Sequence, residues 1–253
     1  MALLKDYITG FRLSPHQTDP TFKVVIDPGQ CRGDDDANDI ISSSELVVSL
    51  EVSGEGGLDQ GSEAPSTWYY VFAIYDPPNK YAGLFSTSKT SPVLPSGFTI
   101  KRRIGVVRND SNSDLIPFIQ TGKDRRRDYL WDVSGIDLVV LSMGNSIEWA
   151  TIDCSSLAPP VAEILKVSAG FRTRPGNGSD WMEPPPSPPS DKAWLAPYGK
   201  NAEVNFCAGS CNPEMSCSVP FDIHCDSSQR LKYKVDSDSN QLTIAVRGFE
   251  DEV

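Results

Sequence analysis

Short runs in which apolar residues alternate with polar ones, or sit side by side, recur along the chain, and each is closed by turn residues. Phe22–Ile26 stops at Asp27-Pro28-Gly29, and Ser44–Val52 runs into Gly54-Glu55-Gly56-Gly57. Both read as strands, because β-branched runs bounded by Gly, Pro and Asp carry period-two signals and not helical ones. Thr67–Tyr75 is the strongest β segment, almost wholly aromatic and β-branched, and Asp76-Pro77-Pro78-Asn79 ends it because proline has no N–H for a ladder. Gly83–Ser86 reads as its hairpin return. Ile104–Arg108 and Ile116–Gln120 flank the polar tip Asn109–Asp114, a pattern that predicts a longer hairpin.

Farther on, Ile136–Leu141, Ile147–Ile152, Ala162–Ser168 and Lys200–Phe206 are strand-like. The polyproline stretch Pro184–Pro189 is too stiff and donor-poor for a central strand and reads as an extended surface loop. Arg230–Val235 and Gln241–Arg247 alternate cleanly around Asp236–Asn240, which predicts one antiparallel hairpin with a solvated face. The basic run Lys123–Asp128 suggests a boundary, giving an N-terminal β module over residues 1–122 and a C-terminal one over 123–253. Without a βαβ rhythm, the class is all-β: an antiparallel sandwich or two small β modules with long loops rich in Pro, Gly and Ser.

Composition narrows the chemistry. The 253 residues hold 23 Lys and Arg against 34 Asp and Glu, a formal charge of -11, which argues against nucleic acid as a partner. No apolar run approaches a membrane span, so insertion in a membrane is not expected, and the N-terminus does not read as a signal peptide. With 2 His in the chain there is no His-rich metal site, and no constellation for catalysis stands out among the carboxylates, so no enzyme activity, metal or cofactor is expected. Asp34–Glu45 mimics the ligand spacing of a calcium loop, but Asp39 occupies the position where the sharp turn needs Gly and the flanks are strands, so it reads as an acidic loop. Cys207, Cys211, Cys217 and Cys225 cluster without the close pairs of a zinc site. Disulfides, zinc and free thiols are the alternatives, with disulfides favoured and Cys31 or Cys154 available to join them.

Trp68–Tyr75, Gly83–Phe98, Lys101–Val107 and Pro117–Gln120, with Gly10–Leu13 and Gly29–Arg32 before them and Ser227–Tyr233 and Thr243–Phe249 after, resemble a group of tailed-bacteriophage virion proteins described as tail-fibre-like or uncharacterised. The resemblance covers roughly residues 8–120 and 226–249, and residues 170–225 depart from it. It implies a non-enzymatic β-rich virion component that self-associates, as a homotrimer, and contacts other virion proteins or a host-surface glycan. The expected role is a tail or neck fibre or adhesin module in attachment or assembly; a capsid decoration or head-fibre protein is the alternative. A glycan depolymerase is disfavoured for want of a parallel β-helix repeat. Such a protein is assembled in host cytoplasm and exposed outside the cell after lysis, which reconciles disulfides with cytoplasmic synthesis. Because contact residues concentrate on loops held by a rigid frame, the candidates for binding are Asn109, Ser111, Asn112 and Asp114, with Pro184, Pro185, Pro186 and Pro188.

Overall fold

The computed structural model describes residues 2–78, 80–173, 192–199, 204–207, 217–238 and 240–253. The protein is all-β, and the described residues form small antiparallel sheets in two compact units, Met1–Val133 with Glu250–Val253 and Ser134–Phe249.

The first unit carries β1 (Ile8–Gly10), β2 (Leu13–Pro15), β3 (Lys23–Ile26), β4 (Gly29–Arg32), β5 (Asp39–Ser42), β6 (Leu46–Ser49), β7 (Trp68–Asp76), β8 (Lys80–Ser86), β9 (Ile100–Arg108), β10 (Phe118–Thr121) and β11 (Arg126–Trp131). Three of its sheets are three-stranded, in the orders β1-β4-β5, β2-β3-β6 and β8-β7-β9. β7 is central and covered on both faces, which is why its sequence lacks alternation: Tyr69, Val71, Phe72, Ala73 and Ile74 are all buried. Gly83 of β8 is a point of close approach. A Cβ there would lie 2.1 Å from Val48 Cγ2 and 2.6 Å from Ile26 Cδ1, so β8 packs directly on the β3–β6 pair. β10 pairs with β11, and the chain returns at its C-terminal end, where Val253 N–H donates to Arg125 O at 2.9 Å.

The second unit carries β12 (Val139–Gly144), β13 (Ala150–Asp153), β14 (Ala162–Thr173), β15 (Lys192–Pro197), β16 (Val204–Cys207), β17 (Cys217–His224), β18 (Arg230–Val235) and most of β19 (Asn240–Glu252). In one sheet β19 lies between β12 and β14, and β17 borders β14; the other has the order β13-β18-β15-β16. They meet where Gly144 of β12 abuts the Tyr233 ring of β18, the nearest atom 2.6 Å from a Cβ built at Gly144. Leu231, Tyr233 and Val235 from β18 and Leu242, Ile244 and Val246 from β19 supply two apolar rows to this core.

Two expectations are corrected. β18 and β19 alternate as read, yet they do not pair with each other: β18 is flanked by β13 and β15, so the turn between β18 and β19 carries the chain from one sheet to the other. Alternation reports which face is buried and is silent about the neighbour. Likewise β9 pairs with β7 and β10 with β11, and the predicted hairpin around Asn109–Asp114 shrinks to the bridge Asn109↔Leu115 and a bond from Ile116 N–H to Arg108 O. Arg126–Asp128 of the basic run lie inside β11, within the first compact unit. Two of its arginines are bound by acids of the same unit: Arg126 pairs with Glu250, and Arg125 Nη2 with Glu252 at 3.0 Å.

Candidate functional site

The loop at Asn109–Asp114 is a tip closed by its own hydrogen bonds. Asp110 closes it on itself, its Oδ1 accepting from Asn112 N–H at 2.7 Å and Asp114 N–H at 3.0 Å, while Asp110 N–H donates to Asp114 O at 2.8 Å. Such bonds from an aspartate to following amides stabilise a turn locally. Leu115, buried, anchors the far end through its N–H to Thr21 O at 2.7 Å. Ser111, Asn112 and Asp114 are exposed and available to a partner. Asn109 is not: it is fully buried, its Nδ2 donating to Glu63 Oε1 at 2.8 Å and to Ala64 O at 3.3 Å, so its part is to hold the loop and not to touch a ligand.

Pro184, Pro185, Pro186 and Pro188 lie outside the described residues, as does Cys211. Cys207 ends β16 and Cys217 begins β17. Cys225, expected in a disulfide, stands as a free, half-buried thiol that donates to Ala162 O at 3.3 Å; Cys31 and Cys154 are free and fully buried. Burial pushes the Cys31 and Cys154 thiols up to about 12 and the Cys225 thiol up to about 11, so all three are poor nucleophiles in the fold. The acidic segment after β4 is committed to cations. Lys101 Nζ lies 2.6 Å from Asp34, and Arg32 Nη1 lies 2.7 Å from Asp39.

The surface that sequence reasoning missed is the outer face of β13-β18-β15. Period-two alternation turns Leu231 and Tyr233 inward, which sets Arg230, Lys232 and Lys234 side by side on the opposite face. Pairing then brings aromatic residues to them from distant sequence. Thr151 is opposite Lys232, which places Trp149 next to Lys232 and Lys234, and Trp194 is opposite Lys234. Lys232 Nζ lies 4.4 Å from the Trp149 ring centre, Lys234 Nζ lies 4.8 Å from both Trp149 and Trp194, and the Arg230 guanidinium lies 3.8 Å from Tyr198. All six side chains are partly exposed.

Electrostatics along this face are uneven. Asp226 grips Arg230 at 2.7 Å and 2.9 Å, a hydrogen-bonded pair that raises the arginine's pKa further. Lys232 and Lys234 pair with no carboxylate among the described residues, in a chain of net charge -11. Cations over indole rings are attracted by the ring quadrupole, by about 0.5–1 kcal/mol at exposed sites. The arrangement presents flat apolar rings with unpaired positive charge between them, which suits a ligand that combines C–H faces with anionic substituents. The alternation of Arg230, Lys232 and Lys234 was visible in the sequence; the arrival of Trp149 and Trp194, 45 positions apart by number, was not. Comparison with models of known protein families gives no match, and a search of curated proteins gives none.

Proposed function

We propose that the chain is a non-enzymatic structural component of a tailed-phage virion that acts in attachment, assembles as a homotrimer, and uses the aromatic and basic face of its second unit to hold an acidic surface polysaccharide. The observation that carries the binding part is the row Arg230, Lys232 and Lys234 interleaved with Trp149, Trp194 and Tyr198 on one solvent-facing side of a sheet. The virion part is supported by the resemblance of the strand series around Trp68–Tyr75 and by an all-β build whose exposed loops are braced from within. Stacking rings bind the sugar faces, and the two lysines answer carboxylate, sulfate or phosphate groups on the polymer.

Binding of the purified chain to heparin and hyaluronan, with dextran as the neutral control, tests this. The expected result is saturable binding to the acidic polymers that weakens with salt, because exposed charge pairs are screened, and no binding to dextran. Joint replacement Trp149→Ala and Trp194→Ala should weaken it at least about tenfold, equivalent to about 1.4 kcal/mol, with the β circular-dichroism spectrum retained. Unchanged affinity in the double variant, or stronger binding to single-stranded DNA than to either polysaccharide, would contradict the assignment, since rings with cations also serve single strands.

A further inference from the structure

The turn between β10 and β11 and the end of β1 border a cavity of about 310 Å³ in the first unit, lined by Thr9, Gly10, Arg12, Lys123, Asp124 and Arg127, with Gly122 at its edge. That volume is at the lower end of small-ligand sites. Gly122 has φ +105 and a Cβ there would lie 2.2 Å from Arg126 O, so only glycine makes this turn, which brings Lys123 and Arg127 to one hollow.

Arg127 is the unusual member. It is 1% exposed, yet its described polar contact is a single one, Nη2 donating to Gly10 O at 2.9 Å. Its Nε is buried without a partner, and no ion pair to a carboxylate is found for it among the described residues. A buried guanidinium normally meets an anion, because removing its hydration costs several kcal/mol, and an unsatisfied buried donor points to an absent water or ion. Burial lowers the arginine's pKa, while the charges of Asp251 and Asp124 act on it in the opposite direction without pairing with it. Arg12 and Lys123, both exposed, add two cations at the rim against one lining acid, Asp124. Among the described residues the Arg12 side chain is held by a 3.7 Å contact with Asp27 in which both side chains are about half exposed, an attachment weak enough to give up.

We propose that this cavity binds a small oxyanion, the phosphate or carboxylate group of a ligand, with Arg127 as the buried anchor and Arg12 and Lys123 closing over it. The site belongs to the first unit and stands independently of the attachment reading. A guanidinium fork offers the parallel donors that such groups accept, which a lone lysine does not.

The test is titration calorimetry and thermal melting of the full chain with sodium phosphate and, separately, sodium acetate, each against sodium chloride at equal ionic strength. Saturable heat and a rise in Tm with phosphate or acetate beyond the chloride control supports the site, and the arm that responds names the anion class. Arg12→Ala and Lys123→Ala, exposed rim variants that leave the core intact, should each weaken the response at least about fivefold. Arg127→Met removes a buried side chain and can unfold the unit, so the rim variants decide. Equal responses to all three salts, or saturation unaffected by both rim variants, would overturn the proposal.

Discussion

The phenol of Tyr129 shows how single polar atoms hold the first unit. Its oxygen accepts from Val106 N–H at 3.0 Å and from Gln120 Nε2 at 2.5 Å, and Gln120 Oε1 accepts in turn from Leu13 N–H at 2.7 Å. One buried relay thus ties β2, β9, β10 and β11. Tyr129→Phe strands two buried donors and should cost about 1–3 kcal/mol in urea unfolding; a loss below the precision of the measurement would mean that the relay re-forms around water. Asp251 makes a second case. It is 2% exposed, and burial raises its pKa above the usual 3.8 against the pull of Arg103, whose Nη1 lies 2.6 Å away. Between 3.8 and the raised value the folded state keeps a proton that the unfolded chain has released. Stability from this group is therefore complete at the acid end of that window and lost as pH rises through it. Asp251→Asn should remove this part of the pH slope, read from urea midpoints across the carboxylate range. The buried thiols give a third expectation: at about pH 8 iodoacetamide should leave Cys31 and Cys154 unmodified in the folded chain and label both in urea, because only the thiolate reacts.

Among elements, β8 is the least forgiving. Gly83→Val would drive a side chain into Val48 and Ile26, where a Cβ alone already falls inside contact distance, and overpacking of this kind costs about 1–3 kcal/mol or more. A fall in Tm with the circular-dichroism spectrum unchanged is the expected result, and no change in Tm would contradict the packing of β8 on β3 and β6. The same element level shows what could be read beforehand. β7 was legible because an aromatic and β-branched run ending in Pro-Pro has one good conformation, and β18 was legible to the residue because its alternation is unbroken. Partners were not legible. Nothing local tells Arg230–Val235 to pair with strands that begin at Ala150 and Lys192 when Gln241–Arg247 alternates just as well next door. The candidate face inherits this limit: its cations are local to one strand, while its rings are delivered by pairing. Asn109 was misread for a different reason, since a polar residue in a turn pattern looks solvent-facing until Glu63 and Ala64 are seen to claim its amide.

At the scale of the whole molecule, 34 acids against 23 bases make the chain strongly anionic, yet its cations are not spread evenly. Many are bound to acids, as Arg103 is to Asp251 and Arg125 to Glu252. Lys232 and Lys234 in one unit, and Arg127 in the other, stand apart from that pairing among the described residues. A net negative charge discourages nonspecific association with polyanions, so we expect local positive sites of this kind to act as selective contacts instead of general attractors. The proposal of a structural component of a tailed particle is tested most directly by quantitative peptide mass spectrometry of purified, nuclease-treated phage particles from a lysate in which the chain is expressed. Peptides of the chain are expected in every preparation, at a copy number per particle that is a multiple of three. Particles that are complete and infective but contain none of these peptides would contradict it.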